Sequence, residues 1–228
     1  RKIPNAASKS IFYPSVFYPG EIVSPPARFV TLFRPVPPFL FFLLVVYYKM
    51  NLYVKVGNTL DNVTLIGMPG SGKSTVGVLL AKLLGYRFLD VDLLIQEREG
   101  ALLQEILDAR GTAAFLDVEE AVVRGLDCRR TVIAPGGSAV CREGAALRLR
   151  ELGPVVYLRV PLEELTRRIQ NLSTRGIAME PGQTLADVMA FREPLYCKYA
   201  DLTVPCPTGQ ELAQTAQVVL ERLKELGR

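Results

Sequence analysis

The stretch Gly67-Met68-Pro69-Gly70-Ser71-Gly72-Lys73-Ser74-Thr75 restricts the possible folds more than any other part of the chain. It fits the pattern G-x-x-x-x-G-K-[ST]. Val63-Thr64-Leu65-Ile66 before it reads as a short buried strand, and Val76, Leu79, Leu80, Leu83 and Leu84 follow at helical spacing. Strand, glycine loop and helix in that order are the context that makes the motif a phosphate-binding loop. Glycines let the backbone curl until several N–H groups face one anion, and the helix that starts there adds the positive end of its dipole. Gly70, Ser71, Gly72, Lys73, Ser74 and Thr75 are therefore the expected nucleotide-binding residues. Lys73 reaches toward the outer phosphates, and the Ser74 hydroxyl is a ligand for Mg²⁺.

The 228 residues suffice for one α/β domain and some extra chain. Charge is unevenly placed. Of 27 basic and 23 acidic residues, six and one lie in 1–50, which leaves 21 against 22 and a net of −1 for 51–228. The basic balance belongs to the first fifty residues and gives the domain no nucleic-acid footprint. There is no histidine, and Cys128, Cys141, Cys197 and Cys206 form no C-x-x-C pair. That pattern argues against a zinc site and against Ser-His or Cys-His nucleophiles. Four reduced thiols fit a cytoplasmic protein.

Residues 1–38 hold eight of the sixteen prolines, without helical or strand period. Phe39–Tyr48 is continuously apolar but about half the ~20 residues of a membrane span. Three readings stay open for 1–50: upstream sequence ahead of a start at Met50, a disordered or targeting extension, and a membrane anchor. The domain that carries the phosphate-binding loop is expected over 51–228, as a monomer.

Along that domain, strands are expected at 63–66, 87–91, 131–134, 155–158 and 202–204. Helices are expected from the glycine loop to Leu84, then at 93–109, 112–126, 143–152, 162–170, 184–198 and 209–226. Asn171 to Gln183 carries Arg175, Gly176, Pro181 and Gly182 without apolar period and reads as a mobile loop. Alternating strands and helices predict a three-layer α/β sandwich: a central parallel sheet, helices on both faces and a mobile lid. Ligands of such sheets sit beyond the carboxyl ends of the strands, where Asp90, Asp92, Gly136 and Gly137 fall. Asp90 and Asp92 flank Val91 and are expected to point the same way from a strand end. One suits water-mediated hold on Mg²⁺, the other a substrate hydroxyl. Gly136-Gly137 lets a small ligand approach the backbone. Arg175 is placed to swing over the phosphates, and Arg192 sits on a helix that returns to the pocket.

Leu65–Thr75, Phe88-Leu89-Asp90-Val91-Asp92, Gly136-Gly137, Arg175 and Arg192-Glu193-Pro194-Leu195-Tyr196 together resemble shikimate kinase over about residues 62–204. The resemblance implies a nucleoside-monophosphate-kinase-like fold, MgATP as donor and the 3-hydroxyl of shikimate as acceptor. It implies that Lys73 and Ser74 serve phosphate and metal, and that Asp90 holds the metal's waters. Asp92 would bind substrate hydroxyls and act as base. Gly136 and Gly137 would line the substrate site, and Arg168 would lie against adenine. Arg175 would be the lid arginine, and Arg192 would grip the substrate carboxylate.

Two positions depart from the family pattern. Gly-Gly-Gly appears as Gly136-Gly137-Ser138, and a second carboxylate-gripping arginine after a helix phenylalanine is replaced in Phe115-Leu116. The loss removes a charge-assisted contact of about 2 kcal/mol and frees Glu119, the arginine's usual partner. A shikimate carboxylate then relies on Arg192, or on Arg110 or Arg142. A second reading is a kinase of a hydroxy-amino acid such as homoserine, with Glu119 and Asp92 facing an ammonium and a hydroxyl. Further readings are a nucleotide-binding protein that has lost transfer, and a nucleotide-driven membrane component resting on 39–48 alone.

Overall fold

The structure, a computed structural model, describes residues 62–169, 177–180 and 182–226. Asn62–Ile66 (β1) is buried at every position. That burial follows from its place at the centre of a five-stranded sheet. Its neighbours are Thr131–Ala134 (β3) on one side and Val155–Arg159 (β4) on the other. Arg87–Asp90 (β2) pairs with β3, and Leu202–Pro205 (β5) with β4. All four pairings are parallel, in the order β2-β3-β1-β4-β5. Strands covered on both faces need unbroken apolar sequence, which β3 and most of β4 supply, while β2 and β5 at the edges are only partly buried.

Seven α-helices accompany the sheet among the described residues: α1 (Lys73–Leu84), α2 (Val91–Glu99), α3 (Leu103–Arg124), α4 (Glu143–Leu152), α5 (Leu162–Ile169), α6 (Leu185–Tyr199) and α7 (Leu212–Leu226). A short 3₁₀ turn spans Ala139–Cys141. The expected α/β architecture holds, and the helix start at the glycine loop and its stop at Gly85 are as read from the sequence. Gly85 takes the left-handed conformation (φ 68°) and returns its N–H to Ala81 O.

Two local expectations are corrected. The chain does not remain a strand through Val91: Asp90 accepts a hydrogen bond from Asp92 N at 3.1 Å and caps α2, so Asp92 lies in a helical first turn. The helices expected at 93–109 and 112–126 are divided elsewhere. Gly100 ends α2, and α3 starts at Leu103 and bends at Gly111 (φ 76°, ψ 170°). The bend separates a first limb from a second that carries Phe115, Leu116 and Glu119. No helix among the described residues is long and apolar enough to cross a membrane. Residues 1–61, 170, 227 and 228, and of the expected lid 171–176 and 181 with Arg175, lie outside the described residues.

Candidate active site

The three segments that leave the carboxyl ends of β1, β2 and β3 meet on one side of the sheet, since those strands are neighbours. From β1 comes the glycine loop. Gly70 (φ 77°) and Gly72 (φ 91°) hold left-handed conformations that a Cβ would strain. Gly72 is also the N-cap of α1 and offers no side-chain acceptor, so the first-turn amides stay available to an anion. Lys73 is 9% exposed and folds back on the loop, donating to Gly67 O at 2.9 Å and Met68 O at 3.1 Å. Burial lowers its pKa to about 8, with Asp92, Glu119 and Asp90 pulling it up and Arg192 pushing it further down. A bound polyphosphate would restore the full charge.

From β2 comes Asp90, whose Oδ2 accepts from Ser74 Oγ at 2.8 Å. Two hard oxygens side by side at the foot of the phosphate loop suit Mg²⁺, which keeps most of its waters and takes few protein ligands. From β3 comes Pro135-Gly136-Gly137-Ser138. A Cβ on Gly137 would stand 2.7 Å from Pro69 Cδ of the glycine loop, so the two loops touch only because residue 137 is glycine. A Cβ on Gly136 would strike Glu119 Oε1 and stand 2.9 Å from Asp92 Oδ1.

The far wall is α6. Its N-terminus is fixed by a capping box between Thr184 and Asp187, and it turns Arg192 and Tyr196, four residues apart, inward on one face. Arg192 is 4% exposed and donates Nη2 to Ala178 O. Tyr196 stacks on Tyr157 with centroids 5.0 Å apart and donates its hydroxyl to Gly137 O at 2.5 Å. Pro69, Gly70, Gly72, Lys73, Ser74, Thr75, Asp92, Phe115, Gly136, Gly137, Ser138 and Arg192 line one cavity. Of the residues expected from the sequence, that cavity gathers the phosphate loop, Asp92, the glycine pair and Arg192.

Three expected residues stand just outside it. Asp90 is reached through Ser74. Glu119 lies behind Gly136, 1% exposed, with Ser138 Oγ donating to its Oε2 at 2.7 Å. Burial raises its pKa to about 7, opposed by the Ser138 hydrogen bond. Arg168 reaches from α5 to the phosphate loop, with Nη1 at 3.4 Å from Gly70 O. The alternatives Arg110 and Arg142 are engaged elsewhere, on Glu99 at 2.8 Å and Asp117 at 2.7 Å.

Sequence reasoning missed Glu164, Ser138 and Tyr196 as parts of the site. Glu164 is 1% exposed and accepts from both Arg167 and Arg168, which drops its pKa to about 2. Its four-residue spacing from Arg168 on one helix was the available signal. Ser138 counted only as a missing glycine, and Tyr196 only as the end of a motif.

The family model for shikimate kinase matches residues 69–224. The chain belongs to the shikimate kinase family. The shikimate kinase of Paracidovorax citrulli is 39% identical over 171 residues, spanning 73% of this chain and 93% of that protein. That of Pseudomonas aeruginosa is 40% identical over 169 residues, spanning 72% and 97%. Among solved structures, shikimate kinase from Acinetobacter baumannii in complex with shikimate superposes with a TM-score of 0.68 at 34% identity, covering 74% of this chain and 95% of that one. Shikimate kinase from Aquifex aeolicus gives 0.61 at 29% identity, covering 73% and 99%. As a member of this family the chain is an ATP-dependent kinase that works with Mg²⁺ on a small molecule.

Proposed function

We propose that the protein transfers the γ-phosphoryl group of ATP to the 3-hydroxyl of shikimate. The observation that carries the reading is the cavity that gathers Lys73, Asp92, Gly136-Gly137 and Arg192 at the mouth of the phosphate loop. The loop amides and Lys73 hold the phosphates. Ser74, and Asp90 through water, would hold Mg²⁺, which neutralises phosphate charge when bound. Arg192 takes the acceptor carboxylate as a charge-assisted pair. Gly136 and Gly137 let the ring approach the backbone. Asp92 accepts the hydrogen bond of the acceptor hydroxyl, orients its oxygen and takes its proton as the bond to phosphorus forms. Arg168, braced by Glu164, flanks the adenine side. Arg175 is read as the arginine that covers the phosphates on closure. Catalysis comes from positioning and charge neutralisation, with little covalent work for the protein.

We read the enzyme as a cytoplasmic monomer. The four cysteines are all unpaired, as a reducing compartment keeps them. The test is acceptor-dependent ADP release with MgATP and shikimate. Release that requires shikimate supports the reading; nucleotide binding without any shikimate-dependent turnover contradicts it.

A further inference from the structure

Two consecutive glycines do not fix their own backbone, so the wall that Gly136 and Gly137 give the cavity is held by what touches it. Tyr196 holds one end through Gly137 O. The other end is held at Ser138, by main chain and by side chain. Ser138 O accepts from Cys141 N at 2.8 Å, and Gly136 O accepts from Ala139 N at 3.3 Å, which ties the wall to the short 3₁₀ turn. Ser138 Oγ donates to Glu119 Oε2 at 2.7 Å, and the two residues are 5% and 1% exposed.

Glu119 reaches that loop because its own helix offers it no polar neighbour. The residues three and four places from it on α3 are Phe115, Leu116, Val122 and Val123, all apolar. Phe115, Val122 and Val123 are buried, and Leu116 packs against the core. One carboxyl oxygen therefore serves Ser138, and the other backs Gly136, where a Cβ would strike it. Oε2 accepts from the hydroxyl whether the carboxyl group is protonated or not, so the bond does not depend on the charge of Glu119.

We propose that Ser138 and Glu119 are a positioning pair for the acceptor, an inference that rests on the kinase reading above. Their hydrogen bond joins the second limb of α3 to the loop after β3 and keeps the Gly136-Gly137 backbone at the place the acceptor meets. Neither side chain takes part in the transfer. Each acts through the glycine wall, and the bond between them is what matters.

The test measures steady-state rates of the full chain with MgATP and shikimate in Ser138→Ala, Glu119→Leu, Glu119→Gln and the double variant Ser138→Ala with Glu119→Leu. Ser138→Ala and Glu119→Leu each raise KM for shikimate about three- to tenfold, the size of one lost hydrogen bond, while KM for ATP holds. The double variant is no worse than the poorer single one, since both substitutions remove the same contact. Glu119→Gln still offers an oxygen that accepts, and it gives back most of the rise seen in Glu119→Leu. Where Ser138→Ala does not fold, Ser138→Cys, similar in size with a weak donor, is read in its place. An unchanged KM for shikimate, or equal rises in both KM values, overturns this inference and leaves the kinase reading intact. So do effects that add in the double variant, and so does a Glu119→Gln as impaired as Glu119→Leu. Wild-type protein without shikimate-dependent turnover overturns the kinase reading and this inference with it.

Discussion

Ser74 Oγ donates a 2.8 Å hydrogen bond to Asp90 Oδ2, joining the first turn of α1 to the carboxyl end of β2. The same carboxylate accepts from Asp92 N through Oδ1 and caps α2. One side chain thus starts a helix and stands at the hydroxyl proposed to hold Mg²⁺.

Asp90→Asn separates those duties. Asparagine caps a helix about as well as aspartate, so thermal stability should stay within about 1 kcal/mol of wild type. The charge next to Ser74 is lost, so the Mg²⁺ concentration giving half-maximal rate should rise several-fold and kcat should fall. Titrating MgCl₂ in the steady-state assay checks this; an unchanged Mg²⁺ requirement removes Asp90 from the metal site.

Tyr196→Phe deletes the hydroxyl that holds Gly137 O while keeping the ring on Tyr157. The buried carbonyl is left without that donor, a loss of about 1–2 kcal/mol. On the proposal that Gly137 lines the acceptor side of the cavity, KM for the acceptor should rise about five- to thirtyfold with KM for ATP little changed. Equal effects on both KM values would show a general loosening instead.

Glu164→Gln removes the carboxylate charge that fixes Arg168 against the phosphate loop. The arginine remains but loses its brace, so KM for ATP should rise several-fold and KM for the acceptor should hold. Nucleotide titration by calorimetry reads the loss directly, and an unaltered affinity for ATP would make Glu164 a local helix contact only.

Glu119 predicts a pH dependence with a definite sign. Burial lifts its pKa from 4.5 to about 7, with Asp92 adding to the lift and Ser138, Arg192 and Lys73 opposing it. Between those values the folded protein holds a proton that the unfolded chain releases. Stability therefore falls as pH rises from about 4.5 to about 7, by on the order of 3 kcal/mol from this group, and levels off above. Glu119→Gln should flatten that part of the Tm-versus-pH curve relative to wild type. Parallel curves for the two proteins would mean that Glu119 is ionised throughout.

How far the residues alone led is clearest where they failed. The glycine loop, the strands of the core and Gly136-Gly137 were readable because each depends on local pattern: apolar runs, glycines at turns, a basic residue at fixed spacing. Asp92 was placed on a strand end because alternation is the only rule available before one knows that Asp90 caps a helix. The bend at Gly111 hid inside an otherwise helical stretch, since a left-handed glycine leaves no mark on periodicity. Glu164 drew no reading, since sequence alone does not show that it is 1% exposed and bonded to both Arg167 and Arg168. Glu119 was singled out, yet its bond to Ser138 joins it to one of the two departures, nineteen residues further along the chain.

The most direct test of the central claim is ADP formation by the purified protein with MgATP, with and without shikimate, beside Lys73→Ala. The cavity geometry predicts ADP formation that depends on the acceptor and disappears, by about a hundredfold or more, when the one ammonium in the phosphate cradle is removed. ADP formation that is the same with and without acceptor, or that survives the loss of Lys73, contradicts it.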